Sequence, residues 1–135
     1  MNRFYFLPLL LLPLKARALD CTKHPEKIKK AYAHEWTDGK LSEDYLIDEV
    51  TAGATKLLKV IAPDTCGHTA CSVSFFLAES KDCSDSVGEF KAKVHPAQGK
   101  DWSEVEVVTK KLAVDGGGVV RRTYVLKESG YALKN

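Results

Sequence analysis

The sequence predicts an α+β fold, in which an N-terminal helix or helices pack on an antiparallel sheet of four to five strands. Three observations predict it. Apolar residues recur at helical spacing up to about residue 58, the period then changes from 3.6 to 2, and turn residues punctuate the second half as they do in a meander.

Taken in order, His24-Pro25-Glu26 is a helix start, with proline at the first helical position and an acid in the first turn. Ile28, Ala31, Tyr32 and Trp36 then repeat at helical spacing until Asp38-Gly39 interrupts. Ser42 before Glu43-Asp44 is a second start, and Leu46, Val50, Ala54 and Leu57 mark one face of a helix reaching about Leu58. The pattern leaves open two helices or one broken helix, and residues 56–62 read as the end of that helix or as a first strand. Residues 72–80 form a strand with Val73, Phe75 and Leu77 on one face. Residues 89–95 alternate, placing Phe90, Ala92 and Val94 on one side and Lys91, Lys93 and His95 on the other. Residues 103–114 and 119–126 flank Asp115-Gly116-Gly117-Gly118, which is a hairpin signal.

The N-terminus reads as an export signal. Met1-Asn-Arg is positively charged, residues 4–14 are apolar apart from Tyr5 and two prolines, and Ala16-Arg17-Ala18 offers the small residues a signal peptidase reads. Cleavage is expected after Ala18, giving a signal peptide over 1–18 and a single domain over 19–135. A membrane-spanning helix needs about 20 apolar residues, and this run is interrupted by Pro8 and Pro13. Losing Arg3, Lys15 and Arg17 lowers the basic residues from 20 to 17 against 18 acidic ones, so the formal net charge falls from +2 to −1. The basic balance of the whole chain belongs to the signal, and neither nucleic acid nor a membrane is expected as a partner. The expected product is a secreted, extracellular monomer.

Cys21, Cys66, Cys71 and Cys83 all lie beyond the signal, and an even count in an exported chain reads as two disulfides. If the chain between Cys71 and Cys83 is extended, these two residues stand about 40 Å apart, far beyond disulfide reach. Cys66 lies on the Cys71 side. The pairing expected is therefore Cys66–Cys71, closing a tight loop, with Cys21–Cys83.

No residue set announces catalysis. Cys66-Gly67-His68 with Cys71 has the look of a zinc corner or of a thiol beside its base. Zinc takes four ligands, however, and an oxidising compartment joins such thiols. His68 then reads as a solvated loop histidine. The glycines at 116–118 lack the lysine and following helix of a phosphate loop, and the acid pairs Asp44/Asp48 and Glu104/Glu106 suit solvated faces. No catalytic residue, metal or cofactor is expected. The most distinctive loop is 94–102, where Pro96 and Gly99 fix a turn and Trp102 is either an interface anchor or a ring folded onto the core.

Two stretches carry a family resemblance. Ser72-Val-Ser-Phe-Phe-Leu-Ala-Glu-Ser-Lys-Asp-Cys83 is similar to the central strand of the cystatins, secreted inhibitors of papain-like cysteine peptidases, and Phe90-Lys-Ala-Lys-Val-His-Pro-Ala-Gln-Gly99 with Trp102 resembles their later strand and Pro-Trp hairpin loop. The resemblance implies a cystatin-like scaffold that contacts a papain-like cysteine peptidase, or another extracellular protein, through two loops. The contact residues would be Asp64, Thr65, Gly67, His68 and Thr69 on the first, and His95, Pro96, Gln98, Gly99 and Trp102 on the second. Residues 63–71 do not carry the family's Gln-x-Val-x-Gly motif. Competing readings are a small-ligand carrier on an NTF2-like or cystatin-like scaffold, and a secreted effector without inhibitory activity.

Overall fold

The computed structural model describes residues 18–36, 39, 44–63 and 71–135. Along them run β1 (Leu19–Asp20), helix α1 (Pro25–Trp36), β2 (Leu46–Ala52), β3 (Thr55–Ile61), β4 (Ser72–Leu77), β5 (Glu79–Ser80), β6 (Ser86–Lys91), β7 (Lys93–Pro96), β8 (Glu104–Lys110), β9 (Val119–Lys127) and β10 (Gly130–Leu133). The strands form three antiparallel sheets: β2-β3-β4-β6, β7-β8-β9-β10, and the two-stranded β1-β5. The expected α+β class is thereby overturned. The described chain is mostly β, with a single α-helix.

The miss is concentrated in residues 46–61. Ile47, Val50, Thr51, Thr55, Val60 and Ile61 are β-branched, stiff side chains that suit a pleated surface better than a helix. Gly53 has φ +62° and sits first in the two-residue connection between the paired Ala52 and Thr55, where a type II′ hairpin turn takes glycine. The helical spacing was accidental. The hairpin buries apolar side chains on both faces, so Leu57 and Leu58 are both inside and the period-2 signal is erased.

The helix Pro25–Trp36 starts at the expected proline. It contributes Ile28, Tyr32 and Ala33 to a core cluster with Leu58, Val60 and Phe76, and the Tyr32 hydroxyl donates to the Ser72 carbonyl at 2.6 Å. The opposite face of the same sheet, with Val50, Leu57, Val73 and Phe75, packs on Val94, Trp102, Leu126 and Tyr131 of the second sheet and its loops. Residues 86–96 feed both sheets: the strand leaves the first as β6, bends at buried Ala92, and enters the second as β7. Phe90, Ala92 and Val94 all join the apolar interior, as their alternation predicts. At the far edge β10 approaches β6 so closely that a β-carbon on Gly130, φ +125°, would lie 2.5 Å from the Val87 carbonyl oxygen.

Cys21 and Cys83 are joined, as expected, with Cα atoms 5.6 Å apart and a sequence separation of 62. The bridge ties the turn after β1 to the connection between β5 and β6. Cys71 is also disulfide-bonded; the expected partner, Cys66, lies outside the described residues. So do residues 1–17, which hold most of the expected signal, and the expected contact residues Asp64, Thr65, Gly67, His68 and Thr69.

Candidate binding site

Asp101 organises one end of the molecule. Its Oδ1 accepts the Ser103 main-chain N–H at 2.9 Å, an Asx turn, and its Oδ2 accepts the Gly53 N–H at 2.6 Å. Next to it the Trp102 N–H donates to the Thr51 carbonyl at 3.1 Å. The β7–β8 loop is thus fastened to the β2–β3 turn. The end of β9 joins through the Leu126 N–H, which donates to the Ser103 carbonyl at 2.9 Å.

Hydrogen bonding by Ser103, then by the Gly53 N–H, holds the Asp101 carboxyl down to about 2, against an ordinary 3.8. A depressed folded value means that ionised Asp101 favours the fold above the ordinary value, and this contribution disappears as pH falls through about 2. Asp101→Asn is expected to flatten the acid limb of the stability profile between about pH 4 and pH 2. Denaturation midpoints measured across that window test it; identical acid limbs in variant and wild type would remove Asp101 from this role.

Beside this fastening the two sheets part. An opening of about 430 Å³ lies between them, lined by Ala52, Leu77, Val87 and Leu126, with Thr55, Ser103, Lys127 and Glu128 also bordering it. An adjoining depression of about 400 Å³ shares Thr55 and Leu77 with it. The apolar lining belongs to the interior between the sheets, so the opening is the end of the core left unfilled. Tyr131 packs against the same interior cluster. Its hydroxyl donates to the Trp102 carbonyl, and burial pushes its phenol well above the usual range.

Of the expected contact residues, His95, Pro96, Gln98, Gly99 and Trp102 are described, and they do not share one face. His95 stands on the outer face of the second sheet, exposed, with Nε2 at 3.2 Å from Glu106 Oε1 and Nδ1 at 3.0 Å from the Pro96 carbonyl oxygen. Arg121 donates to the same Glu106 oxygen at 2.7 Å. These are surface pairs, worth about 0–1 kcal/mol each. Pro96 is half-buried opposite Val105, and Gln98 and Gly99 form the exposed turn. Trp102 is folded inward: its ring centroid lies 5.7 Å from that of Phe75, and Lys59 Nζ sits 4.8 Å above it. His95 and Trp102 therefore belong to opposite faces.

The expected first contact loop, Asp64 to Ala70, lies outside the described residues; the 97–103 loop is fastened at the Thr55 end of β3. Sequence reasoning missed Asp101 and the opening. The spacing of Asp101 two residues before Ser103 was the available signal for the Asx turn, while nothing local marks Ala52, Leu77, Val87 and Leu126 as neighbours.

Comparison with protein-family models, with curated proteins and with solved structures finds no match. Among the described residues no group of His, Cys, Asp and Glu is placed to hold a metal ion, and no helix is long and apolar enough to cross a membrane.

Proposed function

We propose that this chain is an extracellular, non-catalytic binding protein that takes a small, largely apolar molecule into the opening between its two sheets. The observation that carries the reading is the opening itself: about 430 Å³, floored by Ala52, Leu77, Val87 and Leu126 and bordered by the polar Ser103, Lys127 and Glu128. Its size and its apolar floor with few polar groups fit a small-molecule site. The Cys21–Cys83 bridge supports an oxidising destination.

Titration with 8-anilinonaphthalene-1-sulfonate tests the site. Saturable binding is expected at about 10 µM or tighter, weakened about tenfold by Thr55→Trp, which covers the mouth from an exposed position at the start of β3. No saturation by about 1 mM, or equal affinity in the variant, would discard the opening as a ligand site.

A second reading, inhibition of papain-like cysteine peptidases, draws on the likeness to cystatins. The observation favouring it is that Asp101 holds two hairpin connections, 53–54 and 97–103, side by side. Without a Gln-x-Val-x-Gly segment, inhibition is expected to be weak. Titrating active-site-counted papain decides the matter: inhibition within about 10–50 µM supports a contact through these connections, and flat activity removes it.

A further inference from the structure

At the end of the second sheet remote from the opening, residues 111–118 connect β8 to β9. This tip is not a loose loop. The Lys111 N–H donates to the Gly118 carbonyl at 2.9 Å, those of Asp115 and Gly117 to the Leu112 carbonyl at 3.0 and 3.1 Å, and that of Gly116 to the Ala113 carbonyl at 3.1 Å. Ala113–Asp115 is a 3-10 turn closed by Gly116 in the left-handed region, φ +95°. With its backbone paired internally, the tip holds its apolar side chains out: Val114 is 89% exposed, Leu112 64% and Val119 51%. Single exposed apolar residues are ordinary on a protein surface, but three gathered at one ordered tip mark a contact site.

Charge identifies the kind of surface. Lys110 and Lys111 precede the tip and Arg121 and Arg122 follow it, with Asp115 the single acid between residues 110 and 122. Glu106 engages Arg121; among the described residues no salt bridge occupies Lys110, Lys111 or Arg122. The chain beyond the expected signal carries a formal charge of −1, so this end is locally cationic against a slightly acidic whole. An apolar point inside a basic collar matches the boundary between acyl chains and anionic headgroups. We propose that the β8–β9 tip docks the protein on an anionic lipid bilayer, with Leu112 and Val114 entering the headgroup–acyl boundary and Lys110, Lys111 and Arg122 meeting the lipid anions.

The docking is weak and reversible, because the inserted surface is small and the charge attraction is screened by salt. It is independent of the ligand site, since β8 sets the two ends about 20 Å apart.

Co-sedimentation of the purified protein with phosphatidylcholine vesicles, and with vesicles of phosphatidylcholine and phosphatidylserine at about 3:1, tests the proposal. Binding is expected at least about tenfold stronger to the anionic vesicles, falling about fivefold or more between about 0.1 and 0.5 M NaCl. Leu112→Asp with Val114→Asp, and separately Lys110→Glu with Lys111→Glu, should each lower anionic-vesicle binding about tenfold. Unchanged melting temperatures, expected for exposed positions, show that these variants fold. Equal binding to both vesicle types, or full binding by either variant, would overturn the proposal. Absence of vesicle binding together with self-association that Val114→Asp abolishes would also overturn it, assigning the tip to a second copy of this chain.

Discussion

Replacing Cys21 and Cys83 together by alanine should lower the unfolding free energy by about 4 kcal/mol, the chain-entropy value for a bridge closing a loop of this length. The bridge spans 62 residues, and both cysteines are fully buried in the cluster where α1 meets the first sheet. What it fastens is otherwise lightly held. β1 and β5 are two residues each, and the Cys21 N–H donates to the Ala78 carbonyl at 2.7 Å. Cys83 has φ +59°, a conformation that non-glycine residues seldom adopt, and its N–H is held by Ser80 Oγ at 2.8 Å. Alanine keeps that backbone strain and loses the restraint. Urea unfolding should show the midpoint falling by about 2 M, and hydrogen exchange should rise first across β1 and α1. A loss under about 1 kcal/mol would mean that the denatured chain is already restrained around this loop.

This bridge was legible in the sequence because its argument needed only strand length. An extended stretch after Cys71 keeps it from Cys83, whichever elements surround it, and β4 provides that stretch. The alternation through Phe90, Ala92 and Val94 was legible for a similar reason: outward Lys91, Lys93 and His95 left one face unambiguous. The hairpin at 46–61 was not. The first sheet is covered by α1 on one face and by the second sheet on the other, so consecutive Leu57 and Leu58 of β3 are both buried, and the exposed Asp48 and Glu49 of β2 are also consecutive, leaving no period of 2. Gly53, inside the stretch expected to be helical, is the first residue of the turn. The candidate site was hidden more deeply, since the opening is assembled from β2, β4, β6 and β9, whose adjacency exists only once the strand passing through Ala92 has carried the chain from one sheet to the other. Trp102 left two readings open; the inner one follows from the Trp102 and Asp101 bonds to the β2–β3 turn.

Phe75→Ala is expected to cost about 4 kcal/mol, within the range for emptying a fully buried phenylalanine site. Phe75 lies in the middle of β4, entirely inaccessible to solvent, on the face turned to the second sheet. Its ring centroid stands 5.2 Å from that of Tyr131, 5.7 Å from Trp102 and 6.2 Å from Phe90. One side chain therefore touches β10, the β7–β8 loop and β6, and edge-on aromatic pairs of this kind add about 0.5–1.5 kcal/mol each to area burial. Trp102→Ala should cost less, about 2 kcal/mol. Its ring is only half-buried, and Tyr131 bonds to its main-chain carbonyl, which the substitution leaves in place. The order of these two losses in urea unfolding is the check, and a Phe75→Ala loss below that of Trp102→Ala would show that the sheets are not joined through Phe75. The pair also separates core from site. Emptying Phe75 extends apolar space inward from Leu77, Val87 and Leu126, so the folded variant should bind the naphthalene probe at least as tightly as wild type. Weakened binding in the folded variant would mean that the opening owes its shape to this aromatic cluster.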